Sequence, residues 1–197
     1  MVNTKTFTIF AGVNGAGKST LFAADNSSDL GVRLNSDELV REAGLDWRST
    51  EAQLKAGKQL LKMQKECFEK GISCNRETTL CGSNIVNSIR TAKELGYKIH
   101  LRYVGVSDPQ IAKDRVKRRI ELGGHGVSES TIEHRYETSA ENFLKVYDLC
   151  DQINIYDNSG EYLILAAYSI HGKLQKTDAN VKWVNDLLNQ IQTCNCG

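Results

Sequence analysis

The stretch Phe10-Ala11-Gly12-Val13-Asn14-Gly15-Ala16-Gly17-Lys18-Ser19-Thr20 decides the fold. Gly12, Gly17, Lys18 and Ser19 fill every fixed position of the pattern G-x-x-x-x-G-K-[ST], the sequence of a phosphate-binding loop. Glycines let backbone amides turn toward phosphate oxygens, the N-terminus of the following helix adds its positive end, and the lysine reaches the outer phosphates. Gly12, Asn14, Gly15, Ala16, Gly17, Lys18, Ser19 and Thr20 are therefore the expected nucleotide cradle, with the Ser19 hydroxyl as expected ligand of Mg2+. Upstream, TFTIFA at 6–11 is a β-branched and aromatic run that reads as a buried strand, and KSTLFAA, after Gly17, reads as a helix. The loop thus falls at a strand-to-helix turn, where its mechanism requires it.

Working outward, strands and helices alternate. Residues 32–35 form a second short strand, and Ser36 or Asp37 is the expected cap of the helix after it. A helix over about 49–70 spaces Leu54, Leu60, Leu61, Met63, Cys67 and Phe68 near the helical period and stops at Gly71. A strand at 72–79, a helix at 83–95 closed by Gly96, and a strong strand at 97–106 follow. A basic helix then spans 108–122, and Ser128 caps a helix running to about 149. Strands at 153–156 and 162–169 and a helix at 179–191 complete the chain. This order predicts an α/β fold, a P-loop kinase-like three-layer sandwich whose mainly parallel central sheet is covered by helices on both faces.

Composition bounds the rest. The 197 residues suit one domain, expected to span 1–197. A formal charge of +1 gives the whole chain no bias toward nucleic acid or a membrane surface. No segment approaches the run of about 18 apolar residues that a membrane span requires, and the first residues do not read as a signal peptide, so a soluble cytoplasmic protein is expected. Six cysteines are scattered and read as reduced thiols. Cys194 and Cys196 supply two ligands at most, which do not make a metal site, and read as a terminal tail.

A bound nucleotide can serve as timer, fuel or phosphoryl donor. No Asn-Lys-x-Asp element for reading guanine is present. Phosphoryl transfer requires a base for the acceptor hydroxyl, positive charge around the transferred group, and a cover against water. Asp37 follows the second strand and should project near the phosphate-bearing sheet edge, which makes it the candidate base; a helix N-cap is the competing reading of the same residue. Arg115 and Arg119, four residues apart within KDRVKRR, share a helix face, and Arg135 lies on the next helix. Between them, Gly123-Gly124-His125-Gly126 reads as a hinge, so residues of about 108–136 form an expected arginine-bearing helical lid. His125 is expected to shape that hinge or touch phosphate. Glu77, Thr78 and Thr79 end a strand, where a carboxylate beside hydroxyls could hold a sugar hydroxyl or a Mg2+-bound water; an ordinary strand-to-helix turn is the competing reading.

Together the motifs Gly12 to Ser19, Asn35-x-Asp37-x-x-x-Arg41, Glu77-Thr78-Thr79, Arg115-Val116-x-x-Arg119-x-x-x-Gly123-Gly124-His125-x-Val127 and Ile132-x-x-Arg135-Tyr136, in this order, resemble the zeta-toxin family of P-loop kinases. The resemblance implies an ATP- and Mg2+-dependent kinase acting on the amino-sugar 3′-hydroxyl of UDP-N-acetylglucosamine. It casts Asp37 as base, Lys18 with Arg115, Arg119 and Arg135 as phosphate contacts, and Asp37, Arg41, Glu77, Thr78 and Thr79 as the acceptor side. It also sets Asn158 near the nucleotide base and implies an antitoxin encoded separately. Compact relatives of this fold act on antibiotics, sugars or nucleic-acid ends, and a nucleotide-dependent binding module is the remaining alternative.

Overall fold

Strand β1 (Thr6–Ala11) is buried along its length, and its alternation sends side chains into two cores. Phe7, Ile9 and Ala11 enter one, and Phe10 enters the other. This computed structural model describes residues 4–27, 30–170 and 172–194, without the side chains of 170 and 194. Of the Cys194–Cys196 pair, the side chain of Cys194 and the whole of Cys196 accordingly lie outside what is described.

After β1 come α1 (Lys18–Ala24), β2 (Val32–Leu34), α2 (Ser36–Glu42), α3 (Thr50–Lys70), β3 (Cys74–Thr78), α4 (Ser83–Glu94) and β4 (Lys98–Gly105). The chain continues through α5 (Pro109–Glu121), α6 (Glu129–Leu144), β5 (Gln152–Asp157), β6 (Ile164–Ile170), β7 (Lys173–Lys176) and α7 (Lys182–Cys194). The sheet order is β2-β3-β1-β4-β5-β6-β7. The first five strands are parallel, and β6 and β7 add on antiparallel. One core joins the sheet to α3, α4, α7 and the end of α6, and the second joins it to α1, α5 and the start of α6, the expected three layers. No helix among the described residues is long and apolar enough to cross a membrane.

β1 lies where the chain changes sides, with β2 and β3 on one flank and β4 and β5 on the other. Ligands of open α/β sheets bind beyond the strand C-termini at such a point. In the parallel register Phe10 is level with Glu77 of β3, so the loop after β1 and the end of β3 emerge side by side.

Three expectations change. The cap of α2 is Asn35, not Ser36 or Asp37, because the extended backbone required of a cap ends there. The helix expected to reach 149 stops at Leu144. Val146 leaves helical dihedrals at φ −128° and is completely buried, after which a 3-10 turn covers Tyr147–Leu149. Strand β7 has the polar sequence KLQK, which no apolar alternation signals; lysines on such an edge discourage pairing with another chain.

At the opposite end of the sheet, Asp151 ties β4 to β5. Its carboxylate accepts from Lys93 Nζ at 2.8 Å, Lys98 Nζ at 3.1 Å and the Ile99 N–H at 2.9 Å. Burial alone would raise its pKa, but these donors hold it at about 2, against an ordinary 3.8. A depressed carboxyl stabilises the fold above its unfolded pKa and loses that contribution as pH falls through the folded value. Asp151→Asn should therefore cost up to about 2 kcal/mol at pH 7, with the difference shrinking from about pH 4 and gone below about pH 2, as read by urea unfolding at each pH.

Candidate active site

The loop between β1 and α1 is held by contacts that glycine alone permits. Gly12 has φ +140°, and a Cβ there would lie 2.0 Å from the Val104 carbonyl oxygen; at Gly17, φ +106°, it would lie 2.3 Å from Asn158 Nδ2. Asn158 also donates to the Ala16 carbonyl at 2.7 Å, so it buttresses the loop with the amide that the resemblance assigned to the base. Lys18 is 8% exposed and donates to the Val13 carbonyl at 3.1 Å. Burial lowers its pKa, and Asp37 and Glu77 partly offset this. Ser19 and Thr20, in the first turn of α1, open onto the cleft.

Ser19 Oγ donates to Glu77, with Oε1 at 3.0 Å and Oε2 at 3.2 Å. Glu77 is held from the other side by Arg33 Nη2 at 2.7 Å and Asn35 Nδ2 at 3.1 Å. Arg33 in turn stacks on Phe22, 3.6 Å from the ring centre. The hydroxyl beside a fixed carboxylate is a hard oxygen pair of the kind that holds Mg2+ through one ligand and its retained waters. No group of three His, Cys, Asp or Glu among the described residues could hold a metal ion alone, so such an ion would depend on the nucleotide's phosphates.

Asn35 Oδ1 accepts the Asp37 N–H at 2.9 Å and the Glu38 N–H at 3.4 Å. With the cap thus supplied, the Asp37 carboxylate is left to the cleft. Burial pushes this carboxyl up, but His125, Lys18 and Arg119 together draw it below the usual range.

Thr78 Oγ1 accepts the Leu80 N–H at 3.1 Å. It supports a turn in which Leu80 is left-handed at φ 60°, a strained setting for a residue other than glycine. Asn142 fixes that turn by donating to the Leu80 carbonyl at 2.8 Å. Thr79 lines the cleft, as does Arg41, in the last turn of α2. Leu45, Trp47, Leu54 and Leu61 add apolar lining to the same cleft. Leu54 and Leu61 are 62% and 40% exposed, so these two leucines of α3 face the cleft and not the core.

Opposite, α5 and α6 bring in the arginines. Arg135 Nη1 donates to Asn14 of the loop at 2.7 Å, and Arg115 Nη2 donates to the Gly160 carbonyl at 3.4 Å. Arg119 Nε and Nη2 and Arg115 Nη1 are buried without a hydrogen-bond partner among the described residues. Buried donors of this kind await an acceptor, and an anion's oxygens would supply one. The hinge reading of 123–126 is corrected. A Cβ on Gly124 would lie 2.7 Å from Arg119 Cγ, and one on Gly126 2.2 Å from Ile120 Cδ1, so the turn packs closely onto the end of α5. It carries His125 Nε2 to 2.6 Å from Asp37 Oδ2.

The result is one cleft of about 1450 Å³ lined by all the residues anticipated from sequence except Gly12 and Ala16, which shape the loop from beneath. Arg33 and Trp47 went unread in the sequence. A lone arginine inside a short strand was the one signal for the first, and the second lies in a connection without periodicity.

A family model described as Zeta toxin matches residues 2–169. A protein of Haemophilus influenzae described only as uncharacterized is 31% identical over 127 residues, 64% of this chain and 89% of that one. The solved AvrRxo1-ORF1:AvrRxo1-ORF2 complex with sulphate ions is similar at TM-score 0.68 and 14% identity, over 94% of this chain; the match spans 64% of that protein's length. The PezAT chromosomal toxin-antitoxin system of Streptococcus pneumoniae is similar at TM-score 0.62 and 16% identity, over 98% of this chain and 85% of that chain. At such identities the structural likenesses establish the fold.

Proposed function

Since the chain belongs to the zeta toxin family of P-loop kinases, over matched residues 2–169 that contain every site residue described above, we propose that it transfers the γ-phosphoryl group of ATP to a small-molecule hydroxyl. The proposed acceptor is the amino-sugar 3′-hydroxyl of UDP-N-acetylglucosamine, and the proposed role is that of a zeta-type toxin. One observation carries the reading: Lys18, Asp37, Glu77, Arg119 and Arg135 line one cleft. The proposed base, the phosphate-loop lysine and the two proposed clamping arginines thus open onto the same space.

In this mechanism residues 12–20 cradle the phosphates, and Asn158 keeps the loop in shape. Asp37 orients the acceptor hydroxyl and takes its proton as the new oxygen–phosphorus bond forms. Lys18, Arg119 and Arg135 meet the charge that builds on the transferred group and on the departing ADP oxygen, with Arg115 completing the clamp. Helices α5 and α6 act as the lid, excluding water from the reaction. Ser19 and Glu77 would hold Mg2+, which would supply positive charge to the nucleotide's phosphates. Arg41, Thr78, Thr79 and Glu77 form the acceptor side. The whole chain acts as one kinase domain, in the cytoplasm, where nucleotide and nucleotide sugar are both at hand. We further propose a separately encoded antitoxin as its protein partner, which the likeness to PezAT supports, and no nucleic-acid or membrane partner.

Incubation with radiolabelled ATP, Mg2+ and a panel of UDP-N-acetylglucosamine, free sugars, aminoglycosides and RNA ends tests this. Label on UDP-N-acetylglucosamine is expected, abolished by EDTA and restored by added Mg2+. Label on another acceptor alone would reassign the substrate, and tight ATP binding without transfer to any acceptor would replace the kinase with a binding module.

A further inference from the structure

We infer that His125 is a positioning residue for Asp37, holding one carboxylate oxygen so that the other is presented to the acceptor hydroxyl. The inference rests on the reading of Asp37 as base. Asp37 stands in the first turn of α2, and its side chain is 38% exposed. Its own helix engages only its backbone N–H. Oδ2 has His125 Nε2 at 2.6 Å, and Oδ1 makes no hydrogen bond among the described residues. A carboxylate at a cleft wall with a single fixed oxygen is steered by whatever fixes it.

The surrounding structure is built to deliver that imidazole. Gly124 and Gly126, on either side of it, have no room for a Cβ against Arg119 and Ile120, so close packing of the turn onto α5 sets where His125 stands. From the other side Trp47 packs edge-on against the ring, with centroids 6.3 Å apart and an interplanar angle of 71°. Trp47 is itself placed by Gln53, whose amide donates to its carbonyl at 3.1 Å. His125 Nε2 is buried and has no other partner among the described residues, so Oδ2, 2.6 Å away, is the acceptor it faces. The consequence is geometric coupling: the turn that closes α5 over the phosphate loop is the same turn that seats the base.

Two measurements test the inference. The first needs no acceptor: carbon-detected NMR titration of the Asp37 carboxyl in native protein, His125→Ala and His125→Gln. Lys18 of α1 and Arg119 of α5 also face Asp37 and retain their share of the shift. The titration is expected to move to higher pH in His125→Ala, and an unmoved midpoint overturns the inference. The second is transfer from ATP to UDP-N-acetylglucosamine. His125→Ala should lower kcat by about 10–100-fold, the scale of a reacting group misplaced by about an ångström, and leave the KM for ATP within about twofold. His125→Gln, which keeps a donor at the same reach, should recover most of the rate. On an Asp37→Asn background the loss of His125 should add almost nothing, because the two changes remove one function. A full additional loss there, or native kcat in His125→Ala, overturns the inference while the base reading stands. Native rates in Asp37→Asn itself overturn both. Thermal melts of each variant separate these outcomes from unfolding.

Discussion

Lys18→Met abolishes transfer, lowering kcat by about 10³-fold or more, while the protein keeps its melting temperature. Both halves follow from where the lysine stands. Its ammonium is almost wholly buried and spends one hydrogen bond on the Val13 carbonyl. Arg119 and Arg135 repel it, and Asp37 and Glu77 attract it. Burying a charge of this kind is costly, so a methionine of similar length relieves a penalty and fills the same space. In the proposed mechanism, the positive charge it removes meets the charge that shifts in the transition state. Deleting one preorganised donor costs about 10²–10³-fold in comparable sites, and charge-neutralising groups in phosphoryl transfer contribute about 10³–10⁵-fold. Single-turnover transfer and calorimetric ATP binding check this: a loss below about tenfold would mean that the arginines alone carry the charge.

The parts of this molecule that were legible in the sequence are those governed by local rules. The phosphate loop could be read because its chemistry needs particular residue types at fixed spacing, and the alternation of strands with helices implied a mainly parallel sheet. What escaped was non-local or polar. Strand β7 is KLQK, an edge strand whose residues have little core to face. Leu54 and Leu61 fit the helical period of α3 yet lie toward the cleft, because period alone cannot say whether an apolar residue meets a core or a ligand.

At the site, spacing located Asp37, Glu77 and the three arginines but not what holds them. Glu77 is fixed by Arg33, 44 positions away in sequence, and that pairing exists only because β2 and β3 lie side by side. Asn35 stood in plain view within its motif. Two roles, capping α2 and bracing Glu77, emerge only with the strands in register. The glycines around His125 illustrate the same limit. Three glycines in four residues read as freedom, whereas packing against Arg119 and Ile120 makes two of them a demand for closeness.

Asp37→Asn lowers kcat by about 10²–10⁴-fold, the span of a positioned general base, with a changed pH profile as its signature. The carboxyl is drawn below its ordinary value by His125, Lys18 and Arg119 against the upward push of burial, so it is ionised throughout the neutral range. Such a carboxylate is a weak base. As the proposed base it suffices because in a loose transition state the acceptor hydroxyl becomes acidic only as its bond to phosphorus forms, and the proton leaves late. Native activity should therefore be flat through neutrality and fall only as pH descends through the lowered Asp37 pKa, whereas Asp37→Asn should lack that acid limb altogether. Stability follows the same sign. A depressed carboxyl stabilises above its unfolded pKa and loses the contribution as pH falls through the folded one, so the variant should be slightly less stable than native near neutrality and equal to it in strong acid. Rate and unfolding profiles on the same samples check both, and an acid limb retained in Asp37→Asn would assign the base to another group.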